Sequence, residues 1–176
     1  ELAREVVEPD RPAWAAIVRH FGRGVLLPDA TIDRRKLGAI VFQDAGKRKE
    51  LDSLVHPAIF AEWRKRLAEI REKRPEAIVV SDIPLLIEAG LASQVDLVVL
   101  VYCPPDRQIA RLVTRDGFSN DEAGQRLASQ MPITEKIPAA DVVIRNEGSP
   151  EDTERAVDDL WEELTERERS RRTAGR

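Results

Sequence analysis

Three short runs of aliphatic and β-branched residues constrain this chain more than any other feature: 77–83, 96–102 and 140–145. Each has the length of a strand, and each is nearly continuous in its apolar centre instead of alternating apolar with polar. Strands that read this way are covered on both faces, as in parallel sheets. Helical patterns lie between and after them, at 106–115, 120–130 and 150–167. That order of strand, helix, strand, helix predicts an α/β domain with a parallel sheet. Three strands are few for such a sheet, which commonly holds about five or six, so further strands are expected upstream of Glu1.

Ahead of the first run the character changes. From Arg11 to Arg74 only helices are expected, at 12–21, 33–42, 47–55 and 57–74. Asp33 suits an N-cap, and Pro57 suits the first position of a helix, which predicts a break at His56. This block reads as a helical subdomain inserted before the strands. At the other end, 167–176 is rich in Arg and Ser without apolar periodicity, so a frayed or disordered tail is expected there.

Composition excludes several classes. With 176 residues, 42% apolar and 34% charged, the chain is a globular sequence of about one domain. Its 28 basic and 32 acidic residues are interspersed and leave a net charge of -4, so charge offers no argument for a nucleic-acid partner. An anionic ligand must be held by a local Arg cluster. The one cysteine, Cys103, cannot form an internal disulfide and fits a reducing cytoplasm. The two histidines show no zinc-type spacing. No stretch approaches the roughly 18 to 20 apolar residues that span a bilayer, so no membrane role is expected. The first residues, Glu-Leu-Ala-Arg-Glu-Val-Val, form no signal peptide and open in what reads as a helix.

Two groups of residues can carry chemistry. The run 77–83 leads into Asp82-Ile83-Pro84-Leu85-Leu86-Ile87-Glu88. In open α/β sheets ligands sit beyond the carboxyl ends of strands, so Asp82 is a candidate to hold a magnesium-bound water beside phosphates. Asp82 as a turn cap and Pro84 as a strand stop is the alternative. The second group is Arg107, Arg111 and Arg115, at i, i+4 and i+8 on one helix, followed by Arg126 and Gln130 on the next. Such a row can close over a polyphosphate, because the planar guanidinium binds phosphate oxygens in pairs. A solvated face paired with Asp106 and Asp116 is the alternative. Arg34 is a candidate anion ligand, His56 reads more readily as structural, and Asn146-x-Gly148 suits either a turn at a nucleotide base or a plain strand-to-helix turn. Cys103 has no base partner and reads as structural.

Taken in order, these segments resemble the dephospho-CoA kinase family. The similarity runs through Ala3-Arg4-Glu5-Val6-Val7-Glu8-Pro9, Phe21-Gly22, Ile32-Asp33-Arg34, Leu37-Gly38, Ile40-Val41-Phe42 and His56-Pro57. It continues through Asp82 to Glu88, Gln108-x-x-Arg111-Leu112-x-x-Arg115, Arg126-x-x-x-Gln130, Ala140-Asp141 and Asn146-x-Gly148. The resemblance implies a P-loop kinase-like three-layer fold with a parallel sheet. It implies a nucleotide-kinase core at 1–10, 76–104 and 139–168, a helical CoA-binding domain at 11–75, a lid at 105–138 and a tail at 169–176. It implies an ATP-dependent phosphorylation of the ribose 3'-hydroxyl of dephospho-CoA, the last step of coenzyme A biosynthesis, with Mg2+ accompanying ATP, by a monomer.

Carried onto matching positions, the resemblance assigns Arg111, Arg115 and Asp82 to catalysis. It places Arg34, His56, Pro84, Leu85, Leu86 and Glu88 at the acceptor, and Arg111, Arg115, Arg126, Asn146 and Gly148 at the nucleotide. One departure is large. The family pattern G-x-x-x-x-G-K-S/T, whose backbone N–H groups and Lys hold the β- and γ-phosphates, occurs nowhere in these 176 residues. By the family pattern about one βαβ unit, with that loop and the acidic base, is expected ahead of Glu1. The chain alone is therefore expected to be inactive.

Overall fold

The computed structural model describes residues 1–174, which fall into two compact units, 1–77 and 78 onward.

The first unit is helical throughout. It contains α1 (Leu2–Glu5), α2 (Pro12–Phe21), α3 (Arg34–Phe42) and α4 (Ala45–Lys73), with a 3₁₀ turn at Arg23–Val25. Pro12 opens α2 at a position where its missing N–H costs nothing, and Gly22 ends it at φ 80°. Asp33 caps α3 by accepting from the amides of Arg35 and Lys36 at 3.1 and 3.0 Å. Asp44 does the same for α4, accepting from Gly46 and Lys47. The core is a cluster of Ile17, Val25, Ile32, Leu37 and Val41, surrounded by Trp14, Phe21, Leu51 and Val55 among others. Between Val25 and Asp33 the chain reverses in a loop closed by the Leu26–Ile32 bridge. At its tip Ala30 is held at φ 66°, and the Trp14 indole N–H donates to its carbonyl at 2.8 Å.

The expected break at His56 is absent: α4 runs unbroken with Pro57 inside it. A proline frees the carbonyl four residues back, here that of Ser53. Ser53 and Pro57 both lie on the exposed side of the helix, where water can satisfy that group. Leu51 and Val55 pack on the core cluster before the proline and Trp63 is buried after it, so both halves are tied to the unit.

The second unit is α/β. Strands β1 (Val99–Tyr102) and β2 (Val142–Arg145) pair in parallel, Val99 opposite Val142 through Tyr102 opposite Arg145. The connection between them carries α5 (Pro105–Asp116), α6 (Asn120–Ala128) and α7 (Ile133–Lys136). Parallel neighbours require such a crossover. Helix α8 (Pro150–Ala174) follows β2. Asp141 ties the start of the ladder: its carboxylate accepts from the Val98 amide at 2.7 Å while its own amide donates to the Val98 carbonyl at 2.9 Å. Leu91, Val98, Leu100, Cys103, Ala123 and Ile144 are buried.

Two expectations about this unit are corrected. The run 77–83 has no regular structure and is no strand, because no described residue pairs with it, and Val80 is 77% exposed. Strand composition makes a strand only where a neighbour supplies the ladder. The same lack of neighbours leaves Val99, Val101 and Val143 exposed, where coverage on both faces was expected. The tail is the second correction: helix α8 continues through Ala174, so 169–174 is helical, and residues 175–176 lie outside the described residues. Its support is polar. Arg167 pairs with Glu163 one turn back and the Thr173 hydroxyl donates to the Arg169 carbonyl at 2.9 Å. Arg and Glu are good helix formers without any apolar stripe.

Candidate active site

In the second unit the carboxyl end of β2 runs into Asn146, Glu147, Gly148 and Ser149 before α8 begins. The Asn146 amide donates to the Tyr102 carbonyl at 2.7 Å, which extends the ladder by one bond and fixes where this turn starts. Ser149 and Asp152 then form a reciprocal cap. The Ser149 amide and hydroxyl donate to the Asp152 carboxylate at 3.0 and 2.9 Å, and the Asp152 amide donates back to the hydroxyl at 3.1 Å. Hydrogen bonds from Ser149, with the charge of Arg155 behind them, hold the Asp152 carboxyl below its ordinary range against a small opposing effect of burial. A larger residue at Gly148 would press on the Asp152 side chain of this cap. A Cβ there would sit 2.8 Å from the Asp152 carboxylate oxygen.

Helix α5 presents its arginines to the same turn. Arg107 donates to the Glu147 carbonyl. Arg111 donates to the Asn146 carbonyl at 2.9 Å and to its side-chain oxygen at 3.3 Å. The Thr153 hydroxyl also donates to that Asn146 oxygen at 3.3 Å. Arg111, Asn146, Gly148, Pro150, Thr153 and Glu154 line a cleft of about 420 Å³. Three of the five residues expected at a nucleotide are thus brought together at the carboxyl end of a parallel strand and the start of a long helix. Backbone N–H groups and the positive end of the helix dipole favour anions at such a place.

Arg115 and Arg126 do not join that cleft. Arg115 forms a bidentate pair with its neighbour Asp116, both contacts at 2.8 Å, with the Arg side chain 75% exposed. The Arg115 bond is the main cause that holds the Asp116 carboxyl below its ordinary range, with burial opposing and the charge of Arg126 assisting. The Arg126 guanidinium lies over the Phe118 ring, 4.0 Å from its centroid.

Segment 82–91 is a string of turns. The Leu86 amide donates to Ile83, Ala89 to Leu85, and Leu91 back to Leu86, with bonds of 2.9 to 3.1 Å. Asp82 is exposed and has no hydrogen-bond or ion-pair partner among the described residues. Glu88 is engaged by Lys136 at 2.6 Å and by the Met131 amide at 3.3 Å. Burial pushes the Glu88 carboxyl up, but the Lys136 ammonium and the Met131 N–H outweigh it and hold the group below its ordinary range. Lys136 was missed as a functional candidate: a single Lys in a charged sequence carries no signal until its burial is seen.

The remaining candidates lie in the first unit. Arg34 donates to the Ala3 carbonyl at 3.4 Å and is otherwise exposed. His56 sits 3.7 Å from Asp52 one turn back, and its ring lies 5.6 Å from that of Phe60 in a tilted arrangement. Among the described residues no three acidic, His or Cys side chains gather as a metal cage, and no helix is long and apolar enough to cross a membrane.

A parallel strand–helix–strand unit, with helix arginines gathered on the turn beyond its second strand, defines an α/β protein of the nucleotide-handling kind. The particular family follows from comparison. A family profile described as dephospho-CoA kinase matches residues 1–152. The dephospho-CoA kinase of Syntrophus aciditrophicus is 50% identical over 171 residues, covering 97% of this chain and 73% of that protein. That of Geobacter metallireducens is 49% identical over 166 residues, covering 94% and 82%. The solved dephospho-CoA kinase from Campylobacter jejuni superposes with a TM-score of 0.65 at 30% identity, covering 94% of this chain and 82% of that one. A crystal structure from Thermus thermophilus gives 0.70 at 30% identity, covering 93% and 81%. The chain belongs to the dephospho-CoA kinase family, a family of enzymes.

Proposed function

We propose that this chain serves the transfer of the ATP γ-phosphoryl group to the ribose 3'-hydroxyl of dephospho-CoA, giving CoA and ADP. The observation that carries the reading is the convergence of Arg111, Asn146 and Gly148 on one cleft. At about 420 Å³ it falls within the usual range for small-molecule sites, about 300 to 1,000 Å³. In phosphoryl transfer the protein chiefly positions the reactants and stabilises charge. Arg111, already oriented by Asn146, suits the first task. Arg115 suits the second, because an exposed pair such as Arg115–Asp116 contributes little and can be exchanged for a phosphate. Arg126 would assist from α6.

A magnesium ion accompanying ATP would need few protein ligands, so a three-carboxylate cage is not required of this chain. The unpartnered carboxylate of Asp82 fits a water-mediated role beside it. The metal would supply neutralisation of phosphate charge. Taken separately, the acceptor-side candidates would be Arg34 and His56 in the first unit, and Pro84, Leu85 and Leu86 in the second, where Glu88 would support them through its bond to Lys136. In domain terms 11–75 would receive the CoA moiety, 105–138 would act as a lid, and the segments around them would form the kinase core. The protein would work as a cytoplasmic monomer on these small molecules.

The 176 residues contain no G-x-x-x-x-G-K-S/T loop, so this polypeptide by itself should turn over little or no substrate. The test is a coupled ADP assay with ATP, magnesium and dephospho-CoA, run on this polypeptide and on a version extended at its N-terminus by a family strand–loop–helix unit. The extended version should reach on the order of 1 to 100 turnovers per second. Comparable turnover by the short version would refute the inactivity claim, and no turnover by either would count against the reaction.

A further inference from the structure

The one buried charged side chain among the described residues is Lys136, at 6% exposure. Lysine is almost never buried without a partner, because removing its ammonium from water is costly. Here the partners are all on one distant segment. The ammonium lies 2.6 Å from a Glu88 carboxylate oxygen and donates to the Pro84 carbonyl at 3.4 Å. The same Glu88 oxygen accepts from the Met131 amide at 3.3 Å. Lys136 thus reaches both ends of 84–88, and Glu88 reaches both ends of 131–136.

Helix α7, which carries Lys136, has four residues and is too short to hold its own shape. The segment 82–91 consists of turns without a sheet neighbour. Neither piece has regular structure long enough to place it, and each places the other. We propose that Lys136 is a positioning residue, and that Glu88 acts through it as the other half of a clasp joining 84–88 to 131–136. On this view Glu88 does not touch the acceptor. Its carboxylate is spent on holding the clasp, while Pro84, Leu85 and Leu86 present the surface. The significance for catalysis rests on the proposed reading of 84–88 as the acceptor-side segment. The clasp itself does not.

The test has two parts so that the two claims fail separately. Amide hydrogen exchange is measured on the 176-residue chain and on Lys136→Met, Glu88→Gln, the double variant and Lys136→Arg. Each single change should speed exchange at least about tenfold in both 83–91 and 131–137 and leave α2 unaltered. The double variant should be no worse than either single, and Lys136→Arg should recover much of the protection. Unchanged exchange at 83–91 in Lys136→Met overturns the clasp. Should Lys136→Met fail to fold, Lys136→Arg and Glu88→Gln decide: protection kept in the first and lost from both segments in the second supports the clasp, and unchanged exchange in Glu88→Gln refutes it.

In the N-terminally extended enzyme Lys136→Met should raise the KM for dephospho-CoA about tenfold and leave the KM for ATP within about twofold. A parallel rise in both, or in neither, overturns the positioning role. An extended enzyme without kinase activity would sink the reaction while the exchange result still judged the clasp.

Discussion

The two units of this chain solve the same problem by different means. The first, 1–77, closes an apolar cluster around Ile17 and Val25 and starts α3 and α4 with Asp33 and Asp44 caps. The second places two short strands at its centre, leaves several of their valines open, and ties its irregular segments with side chains: Asp141 to the ladder, Arg111 to the β2–α8 turn, Lys136 to Glu88. Apolar packing is non-directional and tolerates variation, whereas polar ties are directional and fix particular atoms. The candidate nucleotide residues cluster in the second unit, where atoms are fixed.

That contrast can be broken in several ways. Ile17, 1% exposed, is the severest test: Ile17→Ala should cost about 2 to 5 kcal/mol, read by denaturant unfolding. Hydrogen exchange should show that loss in α2 and α3 and not in β1 and β2. A uniform loss would mean the units unfold as one. Asp141→Ala should cost about 1 to 3 kcal/mol and raise exchange at Val98 and along β2, because it leaves the Val98 amide without its acceptor. If the first unit loosens instead, Asp141 is misjudged.

A smaller effect of opposite sign is expected at Ala30. Its φ of 66° is strained for any residue with a Cβ, so Ala30→Gly should stabilise the first unit by about 0.5 to 1 kcal/mol after the entropy cost of glycine. A lower Tm would show that the loop owes its shape to something other than the Trp14 bond.

Acid sharpens the comparison. The Asp33 carboxyl is lowered chiefly by the Lys36 amide, and the Glu88 carboxyl by Lys136 and Met131 against burial. A carboxyl lowered in the folded state adds stability above its unfolded value, about 3.9 for Asp and 4.3 for Glu. That stability is lost as pH falls through the still lower folded value. Between neutral pH and about pH 5 both contributions should therefore be intact. Below about pH 4, α3 should fray at its cap and 131–137 should loosen, with the second change abolished in Glu88→Gln. Loosening of 131–137 that persists in Glu88→Gln would place its cause elsewhere.

Legibility in the sequence followed the same division. Helix α2 from Pro12 to Phe21 and α3 behind its Asp33 cap were expected where they are found, because caps and prolines are local signals. The Pro57 break failed because both flanking halves of α4 are held by long-range packing that no local signal reports. The strand at 77–83 failed because pairing is supplied by a neighbour, and composition says nothing of one. At the site, Arg111, Asn146 and Gly148 were legible as residue types and came together. Arg115 turned to Asp116 next door, the solvated alternative weighed for it. Lys136 was invisible, since its role follows from burial against a segment more than forty residues away.

The central claim is that these residues serve dephospho-CoA phosphorylation with the nucleotide held at the turn beyond β2. The most direct test supplies ATP labelled at its γ-phosphate, with magnesium and dephospho-CoA, to the N-terminally extended enzyme and locates the label in the product by NMR. The account predicts a labelled monoester on the ribose 3'-oxygen, formed much more slowly by Arg111→Ala. Label on any other oxygen, or unchanged formation by Arg111→Ala, would contradict it.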